Sequence, residues 1–588
     1  MAVWFEAERT GTIARVAYQD ALTFTYDKVG QLVREASARG DYQHHYDVLG
    51  NITRTELPHQ RAFEYLYYGS GHLQQTQWRE NEQLTVLAEY QRDHLHRETL
   101  RTSGALDNET GYDCRGRITH QVARQINASL FVTPVIDRRY RWDKRNQLIE
   151  RSVSYGQTGE VFTAGHWYYH SYQYDPLGQL TAHLGSVQTE HFLYGAAANL
   201  LTRPHTEAPH NQVPHSDRFD YRYDGFGRMV SRYEKGSSSG QRYHYDSDHR
   251  IIAVDIDQGP LGYQRAEYRY DILGRRIEKR LWKASAIANT VTYHQHEPDE
   301  VYTFGWVGMR LVSENSSAAP HTTVYHAYND QSYTPLARIE CTDNPLNPQR
   351  AIYYTHSSLS GLPEALTNSD GEIVWQGQYS AWGHLQRQTR PTSTFNREQN
   401  LCFQGQYFDK ETGLHYNTFR YYAPDLGRFT QQDPIGLAGG VNLYRYVHNP
   451  LSWVDPLRLL GENTFIHYTD KAGFDSIMKT GVLNPNSQGK VYVTDILMTP
   501  DDVTRNLLIN NPKYVGRGDY AIIFKVDPVQ LNNINKVSEF EYIHSGKLKM
   551  KEILHAGKKP YSVVSYIDYE TRNKMTNNQL DARSKCGG

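Results

Sequence analysis

The chain has 588 residues, a formal net charge of −2 and four cysteines (Cys114, Cys341, Cys402, Cys586) with no Cys-x-x-Cys pair. At roughly 100–200 residues per domain it is too long for one core, although repeat architectures escape that count. The near-neutral balance does not advertise a nucleic-acid or membrane partner for the chain as a whole, and the scattered cysteines argue against a disulfide framework or structural zinc.

Mean hydropathy is −0.71, and the sequence lacks an apolar run of about 18 residues, so no membrane-spanning segment is expected. Met1–Arg9 is polar and acidic, unlike a secretory signal. A cytosolic origin, with export by a dedicated apparatus, is the expectation. The 46 tyrosines stand out. At that density they suggest many β-strands whose rings pack on one side and hydrogen-bond at the rim.

A repeat occupies most of the chain. Tyr-Asp followed three residues later by Gly recurs at Tyr26-Asp27, Tyr46-Asp47, Tyr112-Asp113, Tyr174-Asp175, Tyr223-Asp224 and Tyr270-Asp271, with degenerate copies at Tyr67, Trp142, Tyr194 and Tyr245. An alternating strand precedes each pair, Asp-x-x-Gly is turn chemistry, and alternation then resumes. Each copy therefore reads as a β-hairpin that cannot bury its face alone, so neighbours must stack into a ribbon. A propeller is the competing architecture, but its blades run about 40–45 residues. Some neighbouring copies here, Tyr26 and Tyr46 among them, are 20 apart.

This pattern resembles the YD repeats of Rhs proteins and of the C components of Tc toxins. The resemblance implies a mostly β fold, a ribbon spiralling into a hollow shell over residues 1–400. From Gln404 the text changes to Gln404-Gly405-Gln406-Tyr407, Glu411-Thr412-Gly413-Leu414, Arg420-Tyr421-Tyr422, Gly427-Arg428-Phe429, Asp433-Pro434-Ile435-Gly436-Leu437 and Asp455-Pro456-Leu457. Residues 401–459 thus resemble the Rhs-associated core, a self-cleaving aspartyl protease. Such a protease needs two carboxylates close enough to share a proton. By resemblance these are Asp433 and Asp455, supported by Arg420, with cleavage after Leu459. Two positions depart from the family: Ala423 stands where Asp is usual, and Arg458 where Gly is usual. The competing reading makes both aspartates turn residues before proline.

Composition breaks at the same place. Six lysines precede Leu460 and thirteen follow it. The tail, residues 460–588, carries 17 Lys and Arg against 14 Asp and Glu, and is large enough for one domain. Its pattern predicts a strand over Thr464–Thr469 and a helix over Lys471–Thr480 ended by Gly481. Strands follow at Val491–Asp495, Tyr520–Val526, Glu539–Ile543 and Tyr561–Tyr569, with a second helix from Thr499, giving a small α/β domain.

The tail resembles ADP-ribosyltransferase toxins of the His-Tyr-Glu type, a split β-sandwich that grips NAD. The residues carrying this are His467-Tyr468-Thr469, Gly489-Lys490-Val491-Tyr492-Val493-Thr494-Asp495, and Glu541 ahead of Gly546 and Leu548. The resemblance implies Glu541 beside the developing oxocarbenium centre, Tyr492 stacked on nicotinamide, and His467 with Thr469 on the ribose. Glu539 and Asp495 compete for the acidic role. The acceptor would be structured RNA or protein, and Lys547, Lys549, Lys551, Lys558 and Lys559 would suit a phosphate backbone. The alternative is a nuclease or deaminase tip: His467, His544 and His555 with lysines would suit a metal-free RNase, whereas the lack of a His-x-Glu…Cys-x-x-Cys pattern argues against a zinc deaminase. A third possibility is a non-enzymatic binding module. A shell that hides a toxin of bacterial competition or virulence also implies delivery machinery, of type VI secretion or another kind, a cognate immunity protein, and action in the target-cell cytoplasm.

Overall fold

The atoms of each Tyr-Asp-x-x-Gly unit show why it turns. At Asp224 the carboxylate Oδ1 accepts the backbone N–H of Phe226 and of Arg228, both at 2.9 Å. The Asp224 N–H donates to the Arg228 carbonyl, and the Gly227 N–H donates back to Asp224. Gly227 closes the turn at φ +75°, backbone space that suits a residue without Cβ. In the degenerate copies Asn146 and His249 take that position, at φ +63° each.

The tyrosine explains the stacking. Its hydroxyl donates to the carbonyl two residues beyond the positive-φ residue of an earlier turn: Tyr46 to Leu32 at 2.7 Å, Tyr174 to Leu148 at 2.7 Å, Tyr194 to Leu180 at 2.8 Å and Tyr245 to Met229 at 2.7 Å. At Trp142 and Trp306 the indole N–H does the same, to Ile118 and Arg276, both at 2.8 Å. Each such rung stabilises by about 1 kcal/mol, and each ties one hairpin to another. Arginine adds a second tie. Arg228 pairs with Asp224 in its own turn at 2.7 Å and lies 4.8 Å from the ring centre of Tyr245 in the next.

The computed structural model describes residues 21–126, 133–156, 165–201, 208–283, 297–434, 442–452, 464–493 and 520–558, with gaps of one to five residues inside these spans. Of the first twenty residues it describes the strands Trp4–Ala7 and Ile13–Ala17. The chain divides into two compact units, one comprising Met1–Leu73 with Leu460–Gly588, the other Gln74–Leu459.

In the first unit, strands Ala21–Tyr26, Leu32–Ser37, Gly40–Tyr46, Ile52–Leu57 and Arg61–Tyr68 pair antiparallel in sequence order. The tail forms two small sheets. In one, Thr464–Thr469 pairs with Tyr520–Val526, which pairs with Leu548–Lys558. In the other, Lys490–Val493 pairs with Tyr542–Ser545, which pairs with Ile534–Lys536. The helix spans Lys471–Thr480 as predicted. Asp470 caps it by accepting the Gly473 N–H at 2.7 Å, and Gly481 ends it at φ +68°. Phe465, Ile477, Ile522, Phe524, Leu548 and Met550 form its core. The expected strand at Glu539–Ile543 is displaced to Tyr542–Ser545. The strand Leu548–Lys558 was not anticipated, because its lysines read as a charged stretch; Lys547 and Lys549 are exposed while Leu548 and Met550 are buried. The second helix and Tyr561–Tyr569 lie outside the described residues.

In the second unit an antiparallel meander runs from Gln83–Arg92 to Thr189–His191. A fourteen-stranded sheet follows, from Phe219–Tyr223 to Leu385–Thr389. A four-stranded sheet, Tyr407–Asp409, Leu414–Asn417, Arg420–Ala423 and Arg428–Phe429, closes the unit's order. Leu414, Tyr416 and Tyr421 pack with Tyr268, Tyr270, Phe304 and Trp306 of the large sheet. Four buried charges lie at that junction. Arg276 holds Asp409 at 2.6 Å, and Lys279 holds Asp409 at 3.0 Å and Glu411 at 3.1 Å. Burial opposes ionisation of Asp409, but Arg276 and Lys279 outweigh it and hold its carboxyl below the usual range. Glu411, buried and beside Asp409, is raised. Among the described residues no helix is long and apolar enough to cross a membrane.

Candidate functional site

The strand Arg420–Ala423 pairs with Leu414–Asn417 on one side and Arg428–Phe429 on the other. Beyond Phe429 the chain runs beside residues 443–445: the Phe429 N–H donates to Tyr444, and the Asp433 N–H donates to Leu443 at 2.8 Å. This ladder carries Asp433 to Arg420. Arg420 Nη2 lies 2.9 Å from Asp433 Oδ2, and both side chains are buried, at 2% and 8% exposure. Arg420 Nη1 donates to the Leu443 carbonyl at 3.3 Å, so one carbonyl receives both partners. The guanidinium sits 3.7 Å from the ring centre of Phe429, an attractive placement in a desolvated site. A buried carboxylate held by one arginine can act on a proton once a second carboxylate joins it. The structure therefore brings together Arg420 and Asp433, thirteen residues apart. Asp455, Arg458 and Leu459 lie outside the described residues. Ala423 is buried in the ladder opposite Arg428.

Sequence reasoning missed Phe429 and the Leu443 carbonyl as supports, since neither residue type signals a role. It also missed the four-charge junction, although Asp409-Lys410-Glu411 is visible in the text. A cavity in the same unit is lined by Tyr140, Arg151, His170, Tyr172, His183 and Glu364 among others. There Arg138 and Arg151 both hold Glu364, at 3.1 and 2.6 Å.

In the tail, the His467 ring Nδ1 lies 2.9 Å from the Tyr492 carbonyl oxygen. Tyr492 sits between buried Val491 and Val493 and pairs with Ile543. Thr469 is buried at the helix start, where its Oγ1 occupies the space a Cβ on Gly473 would need. Glu541, Glu539 and Asp495 lie outside the described residues.

Residues 352–389 match the family model described as RHS protein. The chain is 35% identical over 487 residues to the double-stranded DNA deaminase toxin A of Burkholderia cenocepacia, covering 78% of this chain and 32% of that one. It is 28% identical to toxin protein Tse5 of Pseudomonas aeruginosa (74% and 36%), and 29% identical to the probable deoxyribonuclease RhsA of Dickeya dadantii (68% and 26%). The chain thus spans about a third of the length of these relatives. Coverage of 78% is far more than the tail could supply, so most of the likeness lies ahead of Leu460. Among solved structures, the crystal structure of TcdB2-TccC3-Cdc42 is similar at a TM-score of 0.56 with 16% identity, over 76% of this chain and 24% of that one. TcdB2-TccC3 without its hypervariable C-terminal region gives 0.53 with 16% identity, over 77% of this chain and 23% of that one. These likenesses concern the fold.

The relatives' names contradict the expectation of an NAD-dependent ADP-ribosyltransferase. They are a DNA deaminase toxin and deoxyribonucleases. His467, Thr469, Tyr492 and Glu541 are accordingly not assigned to NAD. A physical reason for the misreading is on hand: short His-x-Thr and Gly-x-Tyr strings also serve packing. Here His467 ties to the strand bearing Tyr492, and Thr469 packs against the helix start.

Proposed function

We propose, from the premise that this chain carries the repeat region of an Rhs toxin, that it belongs to a toxin used between bacteria. Its core segment frees the tail by aspartyl proteolysis after Leu459, with Asp433 and Asp455 as the dyad and Arg420 holding Asp433. The freed tail attacks nucleic acid. The observation that carries this reading is the likeness to toxins whose names specify DNA as the target.

Two features of the tail are consistent with it. A carbonyl partner requires the proton on His467 Nδ1, which leaves Nε2 as the unprotonated nitrogen of the neutral ring, the form a general base needs. Exposed Lys547 and Lys549 flank buried Leu548 at the start of the strand Leu548–Lys558, and exposed lysines suit phosphate contacts. A toxin active in its own cytosol must be restrained until delivery. Delivery machinery and a cognate immunity protein therefore belong to the proposal.

The test is incubation of the whole chain with duplex DNA, single-stranded DNA and RNA. The readouts are strand fragmentation and base conversion scored by uracil excision. Cleavage lost in His467→Ala supports a nuclease, and uracil without cleavage supports a deaminase. Intact, unconverted nucleic acid in every case refutes the nucleic-acid reading.

A further inference from the structure

Two sheets of the second unit meet along a polar seam. On one side lie consecutive strands of the meander: Ile136–Trp142 with Arg138, Leu148–Tyr155 with Arg151, Trp167–Tyr174 with His170, Leu180–Gly185 with His183, and Thr189–His191 with Glu190. On the other lie Gln349–Ser357 with His356, Pro363–Thr367 with Glu364, and the turn after Ile373–Tyr379. Arg138 and Arg151 cross the seam to Glu364. The Ala381 N–H donates to Glu190 Oε2 at 2.9 Å, Gln188 Nε2 to the Tyr379 carbonyl at 3.0 Å, and Arg138 Nη2 to the His356 carbonyl at 3.2 Å. The two guanidiniums balance the two carboxylates, Glu364 and Glu190.

A histidine enters the seam from each side. His183 Nδ1 lies 2.9 Å from Glu190 Oε2, and His183 Nε2 lies 2.9 Å from His170 Nδ1. The carboxylate fixes a proton on His183 Nδ1, so His183 Nε2 accepts from His170 Nδ1, and a further proton enters at His170 Nε2. Burial and then Arg151 keep the His170 ring uncharged, well below the usual histidine range. His356 is buried, with Nε2 3.0 Å from Thr367 Oγ1; burial and then Arg138 do the same for it. Arg101 also acts on His356 and lies 3.7 Å from Glu98. His384, near Glu190, has Asp425 to receive a charge. Burial raises the hydroxyls of Tyr140, Tyr155 and Tyr172 near Glu364, so they stay neutral in acid.

We propose that this seam is an acid-operated joint: protons taken by His170 and His356 add two positive charges beside Arg151 and Arg138, in excess of Glu364 and Glu190, and the two sheets part. The cavity lined by His170, His183, Arg151 and Glu364 has a volume of about 100 Å³. One water needs about 10–15 Å³, so several can enter to solvate the new charge. A ring held neutral in the closed seam takes its proton in the open one. The closed form is therefore fully favoured above the ordinary histidine value of about 6.5 and loses ground as pH falls below it. Ordinary carboxylates titrate only near 4, which leaves a window between. This does not rest on the proposed chemistry of the core or the tail.

The experiment is hydrogen exchange of the whole chain from about pH 7.5 to about pH 5, read by mass spectrometry at constant ionic strength and corrected for the intrinsic pH dependence of exchange. Below about pH 6.5, opening in peptides covering Ile136–Trp142 and Pro363–Thr367 is expected to rise by up to about 100-fold per pH unit, tenfold for each histidine. The strands Tyr263–Tyr270 and Arg276–Lys283, which carry no histidine, are expected to keep their protection. His170→Gln should reduce the slope to about tenfold per unit, and His170→Gln with His356→Gln should abolish it. Seam exchange independent of pH in the native chain, an equal rise in the control strands, or an unchanged slope in the double variant would overturn the joint. If the double variant does not fold, the native profile decides by the first two of these outcomes.

Discussion

Asp409→Asn tests how the core segment is held against the large sheet. In the native chain Arg276 and Lys279 face Asp409 and Glu411, all four at most 4% exposed, so the cluster is neutral. The substitution keeps shape and removes one negative charge, leaving two cations against one anion in a desolvated junction. Breaking one partner of a buried pair costs about 3–5 kcal/mol. In a unit running from Gln74 to Leu459 that corresponds to a fall of roughly 4–6 °C in unfolding midpoint. Lys279→Met added to Asp409→Asn restores neutrality, with Arg276 against Glu411. The double variant should therefore lose less than the sum of the two singles. Urea and thermal unfolding of the four proteins, followed by tryptophan fluorescence, measure this. A loss below about 1 kcal/mol for Asp409→Asn, or strict additivity in the double, refutes the view that charge balance secures the junction.

Three further outcomes follow from particular contacts. Burial would raise Glu314, but His326 3.4 Å away, a hydrogen bond from the Tyr407 hydroxyl and Arg338 nearby hold it at about 2. Its folded pKa is therefore depressed, and its contribution, on the order of 3 kcal/mol, is present above the unfolded value and lost as pH falls from about 4.5 toward 2. Glu314→Gln should flatten acid unfolding over that window, and an unchanged profile would contradict the assignment. Tyr174→Phe should cost about 0.5–1.5 kcal/mol in urea unfolding by orphaning the Leu148 carbonyl; no loss would mean the rung is idle. Gly227→Ala strains a φ of +75° and drives a Cβ against Gln432 and the Tyr444 hydroxyl. It should cost at least about 2 kcal/mol and slow self-cleavage, because Tyr444 follows the residue that anchors Arg420 and Asp433.

The repeat and the tail helix were legible because their signals are local. Asp and Gly at fixed offsets specify a turn, and Asp470 and Gly481 bracket a helix. The partnership of Arg420 with Asp433 was legible through resemblance to the core family, and their approach follows from the ladder between them. The Tyr-to-carbonyl rungs were only half visible. The sequence shows tyrosines at a fixed place in each copy, but the acceptor is a backbone atom of another hairpin, which leaves no residue signature. Arg276, Lys279, Asp409 and Glu411 were illegible as a group, since more than a hundred residues separate the cations from the anions. The ADP-ribosyltransferase reading of the tail failed for a related reason. Three short strings in order specify a β scaffold more strongly than a reaction, and a histidine bonded to a backbone carbonyl looks the same in text as one bonded to a ligand.

The central claim is that Asp433 cuts the chain at the end of the core, and intact-mass spectrometry of the purified 588-residue protein beside Asp433→Asn tests it most directly. A fragment beginning at Leu460 that is absent from the variant is the predicted result. One uncut mass in both proteins, or the same fragment in both, would contradict it.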